Sequence, residues 1–248
     1  MKILVSGLNG HMGREVAALL KANFRGMELA GGVDINDIEQ DGVPCAKTFA
    51  EAKTDVDCVV DFSHHALTMD MLAFAKANKL PLVLATTGQT EEERAAIVEA
   101  SREIPLFFAA NYSLGIAVLT ELAKKAASVM KDAEIEIIEM HHDRKIDAPS
   151  GTALSIGRAL QTVRPCAELN LGRSGMGKRT PTEIGISAIR MGNLPGVHEV
   201  LIGTQNETIT LKHEAHNRAL LAEGALAAAD FLRDKPAGLY DMQSLLAF

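Results

Sequence analysis

The stretch that decides the fold is Lys2–Gly13, KILVSGLNGHMG, in which a compact β-rich run leads directly into a glycine turn. The glycines follow the spacing G-x-x-G-x-x-G rather than G-x-G-x-x-G, and Val16, Leu19 and Leu20 then recur at helical spacing. Such a turn lets a pyrophosphate approach the backbone, and the helix N-terminus adds free N–H groups and a positive dipole end. The stretch therefore predicts a dinucleotide-binding turn. Its candidate residues are Gly7, Leu8, Asn9, Gly10, His11, Met12 and Gly13.

An aspartate follows the second predicted strand at the distance that such a turn requires. Asp34 stands 21 residues after Gly13, where a carboxylate accepts hydrogen bonds from an adenosine ribose. Because Ile35 follows it, and not Arg or Lys, a 2′-phosphate would meet a carboxylate without an adjacent guanidinium. We therefore expect NADH to be favoured over NADPH. A basic residue such as Lys47, folded back towards the site, would allow NADPH to bind as well. The alternative to a cofactor site is a purely structural turn with a surface aspartate.

Residues 1–112 alternate between apolar strands and helices. Continuous apolar strands separated by helices are typical of a parallel sheet that is covered on both faces. The predicted strands are Lys2–Ser6, Met27–Val33, Cys58–Phe62, Leu82–Ala85 and Ile104–Ala109, with helices at His65–Asn78 and Glu91–Arg102. The expected fold class is α/β, a Rossmann-type doubly wound parallel sheet, and the expected domain is dinucleotide-binding.

The pattern changes near residue 113. Glu134–Ile137 alternates polar and apolar residues at period two, which indicates a strand with one wet face, as in antiparallel or mixed sheets. The other predicted elements are helices at Leu114–Met130 and Gly151–Val163, strands at Glu183–Arg190, Val197–Ile202 and Thr208–His213, a glycine-rich loop at Leu171–Lys178, and a last helix at Arg218–Leu232 before a short tail. We expect a second, smaller α+β domain with a mixed sheet at 113–216, which binds the substrate, and we expect 217–248 to pack back on the first domain.

Small and polar residues follow two further strands of the first domain. They come at the carboxyl ends of buried strands, where open α/β sheets bind ligands, and they suit a nicotinamide and its ribose. Ordinary strand-to-helix turns are the alternative. The candidate cofactor-binding residues in these turns are Ala85, Thr86, Thr87, Ala109, Ala110, Asn111 and Tyr112.

The densest group of reactive side chains lies in one segment, Glu139–Ala153, EMHHDRKIDAPSGTA. Two histidines, an arginine and a lysine fall within five positions of an otherwise acidic protein, and Ser150 is a predicted N-cap that leaves the N–H groups of Gly151 and Thr152 free. A helix N-terminus beside these cations suits a small molecule that carries carboxylates. Histidine transfers protons near neutral pH, and a lysine ammonium stabilises or protonates developing negative charge. A solvated charged loop is the alternative.

Composition excludes several classes of protein. With 248 residues, 47% apolar and 23% charged, the chain is an ordinary globular protein of one large or two small domains. A net charge of −7 and an aromatic content of 4% argue against a nucleic-acid binder. Three cysteines without Cys-x-x-Cys spacing, a first apolar run too short for a signal peptide, and no run near the ~20 residues of a membrane span predict a soluble, cytoplasmic protein. We expect no metal, because His141 and His142 would point to opposite faces of a strand and no zinc set is complete.

The motifs resemble one enzyme family across nearly the whole chain. Gly7–Gly13, Asp61-Phe62-Ser63, Ala85–Gly88, Ala109–Tyr112 and above all His141–Ala153 are similar, in this order, to segments of the 4-hydroxy-tetrahydrodipicolinate reductases, also called dihydrodipicolinate reductases. The resemblance implies that NAD(P)H reduces a cyclic imine-type dicarboxylate formed from 4-hydroxy-tetrahydrodipicolinate, in the diaminopimelate route to lysine. Water is released and tetrahydrodipicolinate is the product.

Residue roles and an assembly also follow from the resemblance. By motif position, His141 would be the proton donor or acceptor, Lys145 the second proton donor, and His142 a substrate contact. Gly151 with Thr152 would hold one substrate carboxylate, and Ser150 is a further candidate for substrate binding. The family implies a homotetramer built through the sheet of the second domain. Ala85 stands where the family usually has Gly, and the segment after Asp34 is short and lacks the basic residue often found there, which bears on cofactor choice.

Two other functions stay open from the residues alone. One is a different two-domain reductase, such as an amino-acid dehydrogenase, although Lys145 and the 150–152 segment argue against it. The other is a redox-sensing nucleotide binder without catalysis, which would tolerate Lys145→Ala with no loss of function.

Overall fold

The chain divides into two compact units in the computed structural model, which describes residues 1–36 and 42–246. The first unit comprises Met1–Ser113 and Ala219–Phe248, and the second comprises Leu114–Arg218. Each unit has its own sheet.

Most elements of the first unit lie before residue 114. In chain order they are β1 (Lys2–Ser6), α1 (His11–Lys21), β2 (Glu28–Val33), β3 (Cys45–Ala46), β4 (Cys58–Asp61), α2 (Thr68–Asn78), β5 (Leu82–Leu84), α3 (Glu91–Ala100) and β6 (Pro105–Phe108), with 3-10 turns at Phe24–Gly26, Phe49–Glu51 and His65–Leu67. The helix α3 begins at a capping box in which Thr90 and Glu93 exchange side-chain and backbone hydrogen bonds. The predicted alternation of strands and helices is confirmed, and β3 is an addition whose two residues are too short for a periodic signal.

The second unit contains the next two helices and five strands. They are α4 (Leu114–Val129), β7 (Glu134–His141), α5 (Gly151–Val163), β8 (Glu168–Asn170), β9 (Glu183–Arg190), β10 (Gly196–Gly203) and β11 (Thr208–Ala215). The sheet order is β11-β10-β7-β9-β8. Neighbours β10 and β11, and β10 and β7, are antiparallel, whereas β7 and β9, and β8 and β9, are parallel. The predicted mixed sheet is confirmed.

The chain then returns to the first unit through α6 (Ala219–Leu232), β12 (Gly238–Tyr240) and α7 (Met242–Leu245). Helix α6 packs against α1 and against the central strands β4, β5 and β6. The completed sheet has the order β12-β6-β5-β4-β1-β2-β3, and every pairing in it is parallel. The expected doubly wound α/β fold is confirmed. The short tail predicted after Leu232 contains β12, whose three residues are too few to show a pattern in the sequence.

Apolar side chains of the central strands form the core of the first unit. Leu4, Val59, Leu82, Leu84 and Leu106 are fully buried there. Each such side chain contributes roughly 1.5–3 kcal/mol relative to an exposed one. Because all the strands are parallel, their carboxyl ends meet at one edge of the sheet, and that edge is where the predicted cofactor-binding residues lie.

The core of the second unit lies between one face of its sheet and the helices α4 and α5. Ile135 and Ile137 of β7 project into it beside Ile156 and Leu160 of α5. The sequence predicts β7 only as far as Ile137, but the strand continues to His141. Its inward positions after Ile137 are Glu139 and His141, so the apolar period ends although the strand does not.

Candidate active site

The glycine turn after β1 is built for close approach of the backbone. Gly7 has φ +78°, in the left-handed region, and a Cβ there would lie 2.7 Å from the carbonyl oxygen of Phe62. Its N–H donates to the carbonyl of Val33 at 2.8 Å. A Cβ on Gly13 would overlap the carbonyl of Gly7. Both positions therefore require glycine, and the turn presses the start of α1 against the sheet edge.

Helix α1 begins with the features of an anion site. Gly10 is its N-cap, supplies no side-chain cap, and no acidic residue stands in the first turn. The positive end of the helix dipole therefore faces the turn with no carboxylate from the first turn of the helix itself to neutralise it. His11 is exposed and Met12 is half-buried, whereas Leu8 is fully buried against Gly32, so Leu8 can meet a ligand only through its backbone.

Asp34 lies directly after β2 beside this turn. Its carboxylate is buried and accepts the backbone N–H of Asn9 at 2.9 Å and that of Asn36 at 3.0 Å. A carboxylate has about four lone-pair positions, so two remain for ribose hydroxyls. A cavity of about 300 Å³ opens here, lined by Gly7, Asn9, Gly10, Val33, Asp34, Ile35, Asn36, Phe62, Ser63, His64 and Leu67. Its glycines, the uncapped helix start and the carboxylate together fit the adenosine half of a nicotinamide dinucleotide.

Asp61 is a site residue without a predicted role. It ends β4, is fully buried, and accepts hydrogen bonds from the backbone N–H of Ser63 at 3.1 Å and from the Thr86 hydroxyl at 2.6 Å. Burial raises the pKa of the Asp61 carboxyl, while these hydrogen bonds oppose the rise. The carboxyl group thus joins the ends of β4 and β5. A signal was present in the sequence, since CVVDF places an aspartate at the end of an otherwise apolar strand.

The other predicted strand-end residues differ in how accessible they are. Thr87 and Ala110 are exposed, and Ala85 and Ala109 are half-buried, so these four face the sheet edge. Tyr112 is buried, and its hydroxyl lies 2.9 Å from the carbonyl oxygen of Leu84 and 3.1 Å from that of Phe107. Burial also raises the pKa of Tyr112, which keeps the phenol neutral. The side chain of Tyr112 therefore fixes the turn after β6.

The second unit gathers its predicted residues around the end of β7. His141 is the last residue of the strand, and Glu139 shares its inward face. Nδ1 of His141 lies 2.6 Å from Oε2 of Glu139, and the backbone N–H of Ser150 donates to Oε1 at 2.9 Å. Arg190, the Cα partner of His141 on β9, donates to both carboxylate oxygens at 2.8 and 2.6 Å. Neither Glu139 nor Arg190 has a predicted role from the sequence.

The charges of this cluster are matched. Burial alone would raise the pKa of Glu139, but hydrogen bonds from Arg190, His141 and the Ser150 N–H together lower it. The pKa of Arg190 is raised by its hydrogen bonds to Glu139. Glu139 is therefore an ionised carboxylate, and Nδ1 of His141 must donate to it, because an ionised carboxylate only accepts.

His198 on β10 lies beside His141 on the same face of the sheet. The two rings meet edge to face with centroids 5.2 Å apart, and Nε2 of His198 lies 3.3 Å from the Ser150 hydroxyl oxygen. Burial lowers the pKa of His198 to about 4, so it is neutral at physiological pH. The Ser150 hydroxyl also accepts the backbone N–H of Ala153 and so caps α5, as the sequence predicts.

Lys145 and His142 lie in the turn that follows β7. The Lys145 ammonium pairs with Asp147 at 2.8 Å. Hydrogen bonds from Lys145 and from the backbone of Gly151 lower the pKa of Asp147 against the effect of burial. His142 is half-buried and its backbone N–H donates to the carbonyl of Leu194 at 2.9 Å. Burial lowers its pKa, and nearby arginines lower it further.

The described residues contain neither a metal-binding cluster nor a membrane-spanning helix. Within residues 1–36 and 42–246, no group of three or more histidine, cysteine, aspartate or glutamate side chains is arranged to hold a metal ion. In that same part of the chain, no helix is long and apolar enough to cross a bilayer.

The fold and the two groups of residues define a class of protein. A parallel sheet with a glycine turn, an uncapped helix start and a buried ribose-type carboxylate belongs to the Rossmann-type oxidoreductases that use a nicotinamide dinucleotide. The second unit adds a histidine held by a carboxylate, a lysine and the N-terminus of a 13-residue helix, which are groups for proton transfer and for anion binding.

Comparison with known proteins identifies the family. The model of the dihydrodipicolinate reductase N-terminus matches residues 1–112, and that of the C-terminus matches residues 115–246. The chain is 44% identical to the 4-hydroxy-tetrahydrodipicolinate reductase of Caldanaerobacter subterraneus over 99% of this chain and 98% of that protein. It is 40% identical to the enzyme of the same name from Clostridium tetani, over 99% and 97%. The chain therefore belongs to the dihydrodipicolinate reductase family, as its motifs indicate.

A solved structure supports the fold. Dihydrodipicolinate reductase from Paenisporosarcina sp. TG-14, with dipicolinate bound, superposes with a TM-score of 0.81 at 23% identity over 97% of both chains. Aspartate dehydrogenase from Thermotoga maritima shares the fold more distantly, with a TM-score of 0.52 at 15% identity over 95% of this chain and 98% of that one.

Proposed function

We propose that this protein catalyses the NAD(P)H-dependent reduction of 4-hydroxy-tetrahydrodipicolinate to tetrahydrodipicolinate. One hydride and one proton are consumed, one water is released, and NAD(P)⁺ is formed. The observation that carries the proposal is the arrangement of the 141–152 segment. It contains a histidine held by a carboxylate at the end of β7, a lysine in the following turn, and the start of α5. The membership of the whole chain in the reductase family supports it.

In this reaction, the first unit binds the cofactor and the second unit binds the dicarboxylate. The cofactor-binding groups are the 7–13 turn, Asp34 and the strand ends at 85–87 and 109–112. When bound there, the nicotinamide supplies the hydride. The start of α1 would hold the pyrophosphate, and the free lone pairs of Asp34 would accept hydrogen bonds from the ribose hydroxyls.

The second unit supplies the protons and the anion-binding groups. His141 donates or accepts a proton through Nε2, because its Nδ1–H is engaged by Glu139. Lys145 is the second proton donor. Its ammonium must break the ion pair with Asp147 before it can donate a proton to the substrate. Gly151 and Thr152 bind one substrate carboxylate at the positive end of the α5 dipole, with His142 as a further contact. The hydroxyl and N–H of Ser150 are bonded within the protein, so Ser150 keeps this turn in shape.

The test is oxidation of reduced cofactor in the presence of freshly made 4-hydroxy-tetrahydrodipicolinate, followed by the loss of nicotinamide absorbance. Lys145→Ala should lower kcat by about 10²-fold or more, as expected for a positioned proton donor. The matched control is Lys125→Ala, an exposed lysine on α4 of the same unit, which should leave the rate unchanged. Wild-type turnover in Lys145→Ala would refute its role, and activity on an amino acid instead would point to a different reductase.

NADH is the favoured cofactor in this proposal. The carboxylate of Asp34 is the group that would bind the adenosine ribose, and the next residue, Ile35, is exposed and uncharged. A 2′-phosphate would add two negative charges beside that carboxylate. The ratio of kcat/KM for NADH and NADPH tests this expectation, and a clear preference for NADPH would contradict it.

A homotetramer and a cytoplasmic location complete the proposal. The face of the second sheet opposite α4 and α5 carries Ile138, Met140 and Leu201 half-buried and Ile189 exposed, an apolar patch that a second copy would cover. Sedimentation equilibrium at several protein concentrations would show the tetramer, and a monomer at all of them would refute it. All three cysteines are free, as suits a reducing compartment.

A further inference from the structure

Each oxygen of the Glu139 carboxylate accepts two hydrogen bonds. Oε2 receives Nδ1–H of His141 at 2.6 Å and one Arg190 Nη at 2.8 Å. Oε1 receives the Ser150 N–H at 2.9 Å and the other Nη at 2.6 Å. Every partner is a donor, and Glu139 is fully buried. An amide in its place would offer one acceptor oxygen and would turn an NH₂ group towards donors.

The opposite nitrogen of the His141 ring has space beside it. A Cβ placed on Gly196 would lie 3.0 Å from Nε2 of His141, so the glycine at the start of β10 leaves this side of the ring uncovered by a side chain. The ring is thus held at Nδ1 and open at Nε2.

We propose that Glu139 is a positioning residue for the reductase reaction, and that it holds His141 in the Nδ1–H tautomer so that Nε2 exchanges the proton with the substrate. Arg190 keeps Glu139 ionised and, through a hydrogen bond to the Asp147 carbonyl at 2.6 Å, ties the same carboxylate to the turn that carries Lys145. The inference rests on the proposed role of His141.

The other groups that face His141 are neutral or paired with an opposite charge. His198, packed edge to face from β10, is neutral at physiological pH and does not repel an imidazolium. Lys145, from the following turn, is balanced by Asp147. The titratable and charged groups around the ring are Glu139 on its own strand, Arg190 on β9, His198 on β10, and His142, Lys145 and Asp147 in the turn. Glu139 is the anion in direct contact.

The first measurement needs no mutation of the cluster. Two-dimensional ¹H–¹⁵N correlation of the histidine rings at alkaline pH distinguishes the two neutral tautomers, and the His141 signals are identified by their loss in His141→Gln. The wild-type ring should be the Nδ1–H tautomer. An Nε2–H tautomer in the wild-type protein would overturn the proposal, whatever any variant does.

The second measurement separates positioning from structure. Glu139→Gln should populate the Nε2–H tautomer and lower kcat by about 10²-fold with KM changed less than about threefold. Glu139→Asp, which keeps the charge, should recover part of the rate and keep the wild-type tautomer.

The control is Glu207→Gln, at an exposed position in the turn between β10 and β11 of the same unit. It should leave the tautomer and the rate unchanged. A folded Glu139→Gln protein with wild-type kcat and the wild-type His141 tautomer would overturn the proposal. If Glu139→Gln does not fold, the proposal is overturned by a Glu139→Asp protein whose His141 tautomer changes without loss of rate. Failure of the underlying function looks different, because His141→Gln would then keep wild-type turnover while the tautomer still depended on Glu139.

Discussion

Acidification should destabilise the second unit through His198. This side chain is 4% exposed, and burial lowers its pKa from 6.5 to about 4. Below about pH 6.5 the unfolded chain binds a proton at this residue, whereas the folded protein does not bind it until about pH 4. The unfolded state therefore binds more protons across this window, and the free energy of unfolding decreases as the pH falls through it.

The size of the effect follows from the separation of the two pKa values. Each unit corresponds to about 1.4 kcal/mol, so His198 alone lowers the free energy of unfolding by about 3 kcal/mol once the pH is below 4. Between pH 7 and pH 5, where the protein is easier to handle, the loss is about 2 kcal/mol. A His198 variant keeps the other titratable groups of the site, His141, Glu139 and Lys145. The difference in pH dependence of the free energy of unfolding between wild type and variant therefore reports on His198.

The assay is urea denaturation followed by circular dichroism at several pH values and a fixed protomer concentration. His198→Gln keeps a neutral polar group near the Ser150 hydroxyl but has no proton to gain. Between pH 7 and pH 5, the free energy of unfolding should decrease by about 2 kcal/mol more in the wild type than in the variant. A difference in stability that is the same at every pH does not affect this comparison. Equal slopes for wild type and His198→Gln would refute the buried neutral state.

Three further substitutions have expected outcomes. Gly7→Ala places a Cβ 2.7 Å from the Phe62 carbonyl at φ +78°, so NADH affinity measured by calorimetry should fall at least about tenfold, and an unchanged Kd would contradict the tight turn. Thr86→Val removes a hydroxyl from the buried Asp61 carboxyl and should cost about 1–3 kcal/mol in urea denaturation, whereas Thr87→Val at the exposed neighbour should cost little. Asp147→Asn removes an anion next to Lys145, so KM for the anionic substrate should fall about two- to fivefold in steady-state assays, and a higher KM would contradict this reasoning.

Local signals in the sequence predict much of the fold and the site. The glycine turn, the strand–helix alternation and the Ser150 cap each depend on residues close together in the chain, and each is present in the structure. The carboxylate clamp on His141 depends on Arg190, which is 51 residues from Glu139 and meets it only because β9 pairs with β7. The role of Asp61 likewise depends on the pairing of β4 with β5, which brings Thr86 to it. Such partners become visible only when the register of the sheet is known.

The two buried carboxyl groups, Asp61 and Glu139, have the same structural role. Burying a charged or polar group is costly even when it is paired, so apolar residues in place of the whole cluster, carboxylate and partners together, would suit stability as well or better. Each carboxylate instead terminates or nearly terminates a strand and joins it to the next element, Asp61 to the turn after β5 and Glu139 to β9 and the start of α5. Their hydrogen bonds fix the orientation of turns that carry the proposed cofactor and substrate contacts, and orientation to within a fraction of an ångström is what hydride and proton transfer require. Both carboxylates are therefore better explained by the geometry of the site than by the stability of the fold.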